Sequence, residues 1–418
     1  MEALSFQKGI KVKGPNFISV VIPTHNRGKL VRFAIESAAS QTDENMEIIV
    51  SDTSTRVEDQ LQVREAVEKA KLNSSVSVSL VRPDKRLNMA DHWEFAAKGF
   101  TGDYLAILCD HYALRPSAVS TWREIIGNSA SSPDIVMSNV RSGYSSVTRT
   151  ERTASFTGEI VSRSAQDVLR DFLKFDAWND DSMLATNLPR GMNCLYSRRI
   201  CDAVRDQHGK LFHEISPDYT SSFLLLAHAL DVLLVDKPFY CTFGSQSNGR
   251  NSVVNGMEKF LENYPGVDPF QDCPTRIHAV QNTLYRDFYA MKRVEPKLGD
   301  YRIDTVGYCL SLYREIIVKE FHGSGLDTKD MKAEWHHYVG TLDSESRQRI
   351  DHGVEVLAAR RKKNTLVRKV LFKLGLFEKS RDVYREARIR IGNATGRPQL
   401  RYENVVNAVA GTDSYLKD

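Results

Sequence analysis

The chain has 418 residues, 41% hydrophobic and 26% charged, which is the composition of a soluble globular protein with two or three domains. Its net charge is +4, but residues 360–401 carry +11, which leaves about −7 for the rest. The six cysteines match no zinc-site spacing, and the N-terminus lacks the apolar run of a signal peptide. The longest apolar stretch is too short to span a bilayer. A cysteine zinc site, a signal peptide and a membrane span are therefore excluded.

Apolar, β-branched runs alternate with helical patterns through the first part of the chain. Strands are predicted at residues 17–22, 47–52, 76–81 and 104–108, and helices at residues 30–38, 57–71 and 89–99. Strands that alternate with helices in this way predict a doubly wound, mostly parallel α/β sheet.

The middle of the chain continues with mixed elements. A strand is predicted at residues 135–140, a helix at 164–171, a polar loop at 178–182, a strand at 232–235 and a turn-rich loop at 244–252. A sharp helix start is predicted with Ser216 as N-cap, Pro217 at the first helical position and Asp218 in the first turn. Residues 257–357 have mainly helical patterns, most clearly at 276–294.

The fourth predicted strand ends on a single acid. Residues 104–108 are apolar, Asp110 follows, and the chain then turns through His111, Tyr112 and Pro116. An acid at the C-terminal end of a buried parallel strand faces the crevice in which α/β sheets bind ligands.

Five segments, taken in order, resemble family 2 glycosyltransferases with the GT-A fold, of the bacterial surface-glycan type. They are residues 18–27 (ISVVIPTHNR), 47–52 (EIIVSD), 102–110 (GDYLAILCD), 216–219 (SPDY) and 244–249 (GSQSNG). The resemblance extends from about residue 17 to residue 252 and does not include the helical region. We therefore predict a GT-A domain at residues 1–255, a helical region at 256–358 and a basic amphipathic arm at 359–418.

The resemblance implies a nucleotide site at the edge of the sheet. The residues it assigns to nucleotide binding are Pro23, Thr24, Asn26, Arg27, Asp52 and Arg86. Asp52 can accept a hydrogen bond from a uracil-like ring N–H or a ribose hydroxyl. The alternatives are that Asp52 only caps its own loop as an Asx-turn and that Arg27 is a solvated loop cation.

The family holds Mg²⁺ or Mn²⁺ on the donor diphosphate with acids at positions i and i+2, whereas Cys109, His111 and Tyr112 surround Asp110 here. Three alternatives follow. Asp110 and His111 bind the ion, or the site is metal-free and basic groups with His111 neutralise the diphosphate, or only binding remains. Arg250, in the 244–252 loop, is a further candidate for contacting the diphosphate.

Asp218 is the candidate general base. In inverting transfer, one carboxylate takes the proton of the acceptor hydroxyl as its oxygen attacks the anomeric carbon. The family has an acid at a corresponding helix start. The alternative is that Asp218 only complements the helix dipole, worth about 0.3–1 kcal/mol.

Residues 364–377 form an apolar helical stripe with basic residues opposite. Such a helix binds an anionic membrane surface, where lipid-linked acceptors are found, or packs on the protein's own body. No motif predicts nucleic-acid binding.

The leading hypothesis is a cytoplasmic or peripheral inner-membrane glycosyltransferase. It would move a sugar from a nucleotide-sugar donor to a hydroxyl of a glycan or lipid-linked acceptor, with inversion at the anomeric carbon. One alternative is a catalytically silent GT-A-like nucleotide-binding or scaffold protein. The other is a nucleotidyltransferase, although the chain lacks a Gly-rich, Lys-bearing phosphate loop.

The acceptor class follows from the resemblance to enzymes that build surface glycans.

Overall fold

The computed structural model describes residues 13–140, 142–176, 188–244, 264–322, 328–361 and 400–413. In chain order its strands are β1 (Ile18–Thr24), β2 (Met46–Asp52), β3 (Ser77–Val81), β4 (Tyr104–Ile107), β5 (Tyr112–Leu114), β6 (Ile135–Ser138), β7 (Ser142–Ser145), β8 (Thr150–Thr153), β9 (Ile160–Ser164), β10 (Cys194–Ser197), β11 (Asp231–Val235) and β12 (Tyr240–Thr242).

The helices follow the same order. They are α1 (Gly28–Ala39), α2 (Val57–Asn73), α3 (Met89–Lys98), α4 (Ala118–Asn128), α5 (Ala165–Leu173), α6 (Arg198–His208), α7 (Pro217–His228), α8 (Val280–Val294), α9 (Thr305–His322), α10 (Thr328–Gly340), α11 (Ser344–Arg361) and α12 (Val405–Asp413). A short 3-10 helix, Pro296–Leu298, follows α8.

The main sheet has the strand order β3-β2-β1-β4-β10-β6-β11-β9 within the described residues. Its first four strands run parallel, and β6 and β11 are also parallel, whereas β9 and β10 run antiparallel to their neighbours. The sheet is therefore mixed and mostly parallel, which confirms the predicted α/β class with a helical C-terminal region.

Strand β1 lies in the middle of the parallel part, and all seven of its residues are buried. Val20 and Ile22 pack into the hydrophobic cluster on one face of the sheet, while Val21 packs into the cluster on the other face. Alternate side chains of a strand point to opposite faces, so a strand covered on both sides has to be apolar throughout. This is why residues 17–22 are apolar except for Ser19, whose hydroxyl donates a hydrogen bond to Glu47.

The sequence patterns did not predict a second, smaller sheet. Its strand order is β5-β12-β7-β8, and its strands have only three or four residues each, too short for a clear period of two. Helix α12 packs on it through Val405 and Val409, which join a cluster with Ala113, Cys241 and Phe243.

Polar contacts also attach α12 to the rest of the fold. Thr412 accepts a hydrogen bond from Arg115 at 2.8 Å, and Asp413 accepts one from Ser117 at 2.8 Å. Arg115 is itself buried in an ion pair with Glu151. Residues 400–413 therefore pack against the α/β domain, while the 364–377 stripe lies outside the described residues.

Gly102 begins the segment that leads to β4 and Asp110. A Cβ at this position would lie 2.6 Å from the Phe17 carbonyl oxygen and 2.7 Å from the Ser19 amide nitrogen. Because both are backbone atoms, we expect Gly102→Ala to lower the free energy of unfolding by about 1–3 kcal/mol in urea denaturation. Gly99→Ala is the control, since no heavy atom lies within 4 Å of a Cβ there. Equal loss of stability in both variants would contradict the close approach.

All six cysteines are free thiols, and all except Cys273 are buried. Among the described helices, none is both long enough and apolar enough to cross a membrane.

Candidate functional site

The predicted site residues lie where β1, β2 and β4 end. These three strands are parallel neighbours, with Thr24 paired in register with Asp52, so their C-terminal ends meet at one edge of the sheet. Thr24, Asp52 and Asp110 are all buried at this edge. Pro23 precedes Thr24 within β1 and is likewise buried.

Asp110 is the centre of a group of polar contacts. Its Oδ1 accepts a hydrogen bond from Arg27 Nη1 at 2.9 Å and lies 3.1 Å from His111 Nδ1. Its Oδ2 accepts a hydrogen bond from Thr24 Oγ1 at 3.2 Å. Burial alone would raise the pKa of the Asp110 carboxyl, but the contacts with His111 and Arg27 outweigh it and lower the pKa. Asp110 is therefore an ionised acid that is already paired.

The described residues around Asp110 do not fit the divalent ion that the resemblance implies. Both oxygens of the carboxylate are engaged, and one of them contacts a guanidinium group. The neighbouring positions are Cys109, which burial keeps as a neutral thiol by raising its pKa, and His111. Such an ion is usually held by one or two carboxylates together with substrate phosphates, whereas the Asp110 carboxylate is already paired with Arg27.

The contacts of Asp52 fit both roles that the sequence left open, an Asx-turn in its own loop and binding of a nucleotide. Its Oδ1 accepts the backbone N–H of Ser54 at 2.8 Å, which is the geometry of an Asx-turn. Its Oδ2 is buried, accepts no hydrogen bond from the described residues, and lies 3.5 Å from Arg82 Nη2. Asp52 therefore caps its loop with one oxygen, while the other oxygen faces the Arg82 guanidinium.

Asn26 joins the loop after β1 to the loop after β2. It has a left-handed backbone conformation, with φ of 53°, which asparagine tolerates. Its side-chain oxygen accepts hydrogen bonds from the backbone N–H groups of Thr55 at 2.8 Å and Arg56 at 3.2 Å. Asn26 thus holds the two loops together, and Arg27 leaves this loop toward Asp110.

His92 supports the same edge of the sheet from α3. Its Nε2 lies 3.0 Å from Ser51 Oγ and its Nδ1 lies 3.3 Å from Thr53 Oγ1. Burial lowers the pKa of His92 to about 4, so the ring is neutral near pH 7. Its neighbour Trp93 belongs to the hydrophobic core, as expected.

Asp218 lies in the first turn of α7, as predicted. Its Oδ2 is 3.4 Å from Arg190 Nη1, and the side chains are only 15% and 16% exposed. Burial raises the pKa of Asp218, while the charge of Arg190 opposes that shift. Burial raises the pKa of the Cys109 thiol, the charges of Asp110 and Asp218 raise it further, and those of Arg190 and Arg27 oppose the shift.

Arg190 is the residue that sequence reasoning missed. It lies outside the segments that carry the family resemblance, and an isolated arginine in a loop offers no periodic signal. Its guanidinium lies over the Tyr219 ring, 5.7 Å from the centroid. Its Nε is buried and has no hydrogen-bond partner among the described residues. A cation that is only partly satisfied therefore lies beside the candidate base.

Ser216 occupies the N-cap position of α7, as predicted, but the start of the helix is stabilised in a different way. The Ser216 side chain makes no capping hydrogen bond. Instead, the backbone N–H of Ser216 donates to Asp287 Oδ2 on α8 at 2.9 Å, and Arg286 pairs with Asp287 and with Glu214, each at 2.8 Å. The start of α7 is therefore held by the helical region.

Arg86 and Arg250 are the two remaining predicted site residues. Arg86 is exposed in the loop after β3, where Arg82 is the residue that approaches Asp52. Arg250 lies outside the described residues.

Comparison with known proteins gives a family match. The family model described as glycosyl transferase family 2 matches residues 19–186. A search of curated proteins gave no significant match. Among solved structures, the chain is similar to S. aureus TarS 1–349 in complex with UDP-GlcNAc, at 13% identity and a TM-score of 0.42, over 82% of this chain and 91% of that one. It is also similar to the mannosyltransferase PcManGT from Pyrobaculum calidifontis in complex with GDP-Man and Mn²⁺, at 13% identity and a TM-score of 0.39, over 83% of this chain and 87% of that one.

The family match begins in β1 and includes Thr24, Asp52 and Asp110, the residues that meet at the C-terminal edge of the sheet. The mixed, mostly parallel sheet is consistent with the GT-A fold. The match over residues 19–186 therefore indicates a glycosyl transferase family 2 domain in this part of the chain, the kind of domain expected of a nucleotide-sugar-dependent glycosyltransferase.

Proposed function

We propose that this protein transfers a sugar, with inversion, to a hydroxyl of a glycan or lipid-linked acceptor, and that basic residues rather than a divalent ion neutralise the leaving diphosphate. The observation that carries the proposal is the position of Asp218. It lies in the first turn of α7, where its Oδ2 is 3.4 Å from Arg190 Nη1.

Asp218 would act as the general base. The acceptor oxygen forms a bond to the anomeric carbon, the bond from that carbon to the diphosphate oxygen breaks, and the nucleoside diphosphate leaves with the electron pair. The proton of the acceptor hydroxyl passes to the Asp218 carboxylate. The raised pKa of Asp218 suits this role, since a base is most effective when its pKa approaches the working pH.

Arg27, Arg190 and His111 would stabilise the diphosphate charge. Asp110 holds Arg27 and His111 at the end of β4, at 2.9 and 3.1 Å. A guanidinium has five N–H donors, so Arg27 can hold Asp110 and also contact phosphate oxygens. Positive groups fixed in a water-poor site stabilise developing negative charge without reorganisation.

Asp52 would recognise the nucleoside. Its buried Oδ2 can accept a hydrogen bond from a ring N–H or a ribose hydroxyl, and it lies 3.5 Å from Arg82 Nη2. Asn26 would act indirectly, because its side-chain oxygen is used to hold the loop after β2. Pro23 and Thr24 would line the same edge.

The test is a titration of UDP-, GDP- and CMP-sugars by calorimetry, with either EDTA or Mn²⁺ present. We expect one donor class to bind saturably in EDTA, and Asp52→Asn to weaken that binding by roughly tenfold, since a hydrogen bond to a charged group contributes about 1.5–3 kcal/mol. Asp84→Asn is the control, because Asp84 is exposed in the loop after β3.

The outcomes separate the parts of the proposal. Binding that requires Mn²⁺ would contradict the metal-independent site and leave the transferase assignment standing. Binding without any turnover of the donor, in the presence of candidate acceptors, would favour the catalytically silent alternative. No binding of any nucleotide sugar would contradict the proposed function itself.

A further inference from the structure

A second polar cluster lies far from the sheet edge, where three helices end. His208 ends α6, His228 ends α7, and Glu295 directly follows α8. Glu295 Oε2 lies 2.9 Å from His208 Nε2 and 2.8 Å from His228 Nε2. The side chains of His208, His228 and Glu295 are 5%, 7% and 0% exposed.

We propose that His208, His228 and Glu295 bind a divalent cation of the zinc class, which joins the ends of α6, α7 and α8. Two imidazole nitrogens and one carboxylate oxygen are a donor set that suits zinc, with a fourth position left for water. The three ligand atoms lie within 4.8 Å of one another, which matches a shared ion, and no other group of three ligating side chains among the described residues meets this condition.

Hydrogen bonds would keep the ligands in place without the ion. Glu295 Oε2 also accepts a hydrogen bond from Gln207 Nε2 at 3.1 Å, so three donors converge on one oxygen. The second carboxylate oxygen, Oε1, accepts the backbone N–H of Lys297 at 2.9 Å, which fixes the orientation of the carboxylate. Such ordering by neighbouring groups is what metal ligands require.

Binding the ion changes the tautomer of each imidazole. A neutral ring that donates Nε2–H to Glu295 has to move that proton to Nδ1 before Nε2 can bind a metal. Lys297 Nζ lies 3.3 Å from His228 Nδ1. An Nδ1–H and the Lys297 ammonium group are both hydrogen-bond donors, so they would not stay this close. Because Lys297 is exposed, its side chain can turn into solvent, but its charge opposes the cation.

The cluster of His208, His228 and Glu295 lies away from Asp218, the proposed general base. His228 and Asp218 lie ten residues apart on α7, which is about 15 Å along a helix axis. The ion would therefore act structurally, connecting two helices of the α/β region with the first long helix of the helical region. The inference does not depend on the proposed function.

The test uses the tag-free full chain, treated with EDTA and dialysed, then titrated with Zn²⁺ and with Co²⁺. We expect one ion per chain at this cluster, visible absorption bands for bound Co²⁺, and a higher Tm with Zn²⁺. His228→Gln should weaken Zn²⁺ binding by more than about tenfold, because losing even an outer-shell partner costs 10–100-fold. Lys297→Gln should instead tighten Zn²⁺ binding, since it removes the competing charge.

Two controls assign the ion to this cluster. His213→Gln should leave Zn²⁺ affinity unchanged, because the His213 ring packs 6.4 Å from that of His208 and its Nε2 lies 2.8 Å from the Lys210 carbonyl oxygen. Asp110→Asn should also leave it unchanged. Absence of saturable Co²⁺ or Zn²⁺ binding would overturn the proposal, as would a His228→Gln variant that binds like the wild type. If His228→Gln does not fold, weaker binding by Lys297→Gln would overturn it.

Discussion

Asp218→Asn is expected to lower the rate of donor turnover by roughly 10²–10⁴-fold, the usual contribution of a positioned general base. Asparagine has nearly the same shape but cannot take the acceptor proton. The donor KM should change little, because Asp218 is assigned to the acceptor and not to the nucleotide. Initial rates of nucleoside diphosphate release, with circular dichroism to check folding, measure both quantities.

Asp167→Asn is the matched control for this prediction. Asp167 also lies in the first turn of a helix, α5, but it is exposed and pairs with Arg170. If Asp218 only complemented the helix dipole, the two variants would both lose a small amount of stability and both would keep their activity. Unchanged turnover in Asp218→Asn would therefore remove the base assignment.

Arg190→Gln is expected to have two effects, a loss of roughly 10²–10³-fold in turnover and a shift in the pH profile. The loss follows from removing a positive group beside the leaving diphosphate. The shift follows because Arg190 lowers a pKa that burial raises in Asp218. Without that charge the pKa of Asp218 rises further, and a base has to be deprotonated to act. The acidic limb of the rate profile should therefore move to higher pH.

Arg190→Lys separates these two effects. A lysine keeps the positive charge near Asp218 but loses the planar set of donors, so turnover should fall while the acidic limb stays nearly in place. The measurement is the pH dependence of kcat/KM for donor turnover in the wild type and both variants. An acidic limb that does not move in Arg190→Gln would show that the charge of Arg190 does not act on Asp218.

Much of the main sheet could be predicted from local pattern. The strand predicted at 47–52 is observed as Met46–Asp52, and the helix predicted at 57–71 is observed as Val57–Asn73. These elements have clear periods because each is long and packs one or both faces into the core. Short strands such as β5 and β12 have three residues each, so no period can identify them.

The candidate site was predictable to the extent that its residues end strands. Thr24, Asp52 and Asp110 follow apolar runs, and the ends of parallel strands meet at one edge of a sheet. The roles of Asp52 and Asp218 stay predictions, since their contacts fit both a structural and a catalytic use. The pairing of Asp110 with Arg27 was not predictable, and this ion pair argues against the divalent ion that the family resemblance implies.

The sequence by itself determined the alternation of strands and helices, the acid at the end of β4 and the acid at the start of α7, because each depends on neighbours within a few residues. Only the tertiary structure decided which charges meet. Arg27 and Asp110 are 83 positions apart, and His208 and Glu295 are 87 apart. Contacts over such separations depend on how whole elements pack, and a local pattern of residues carries no record of that packing.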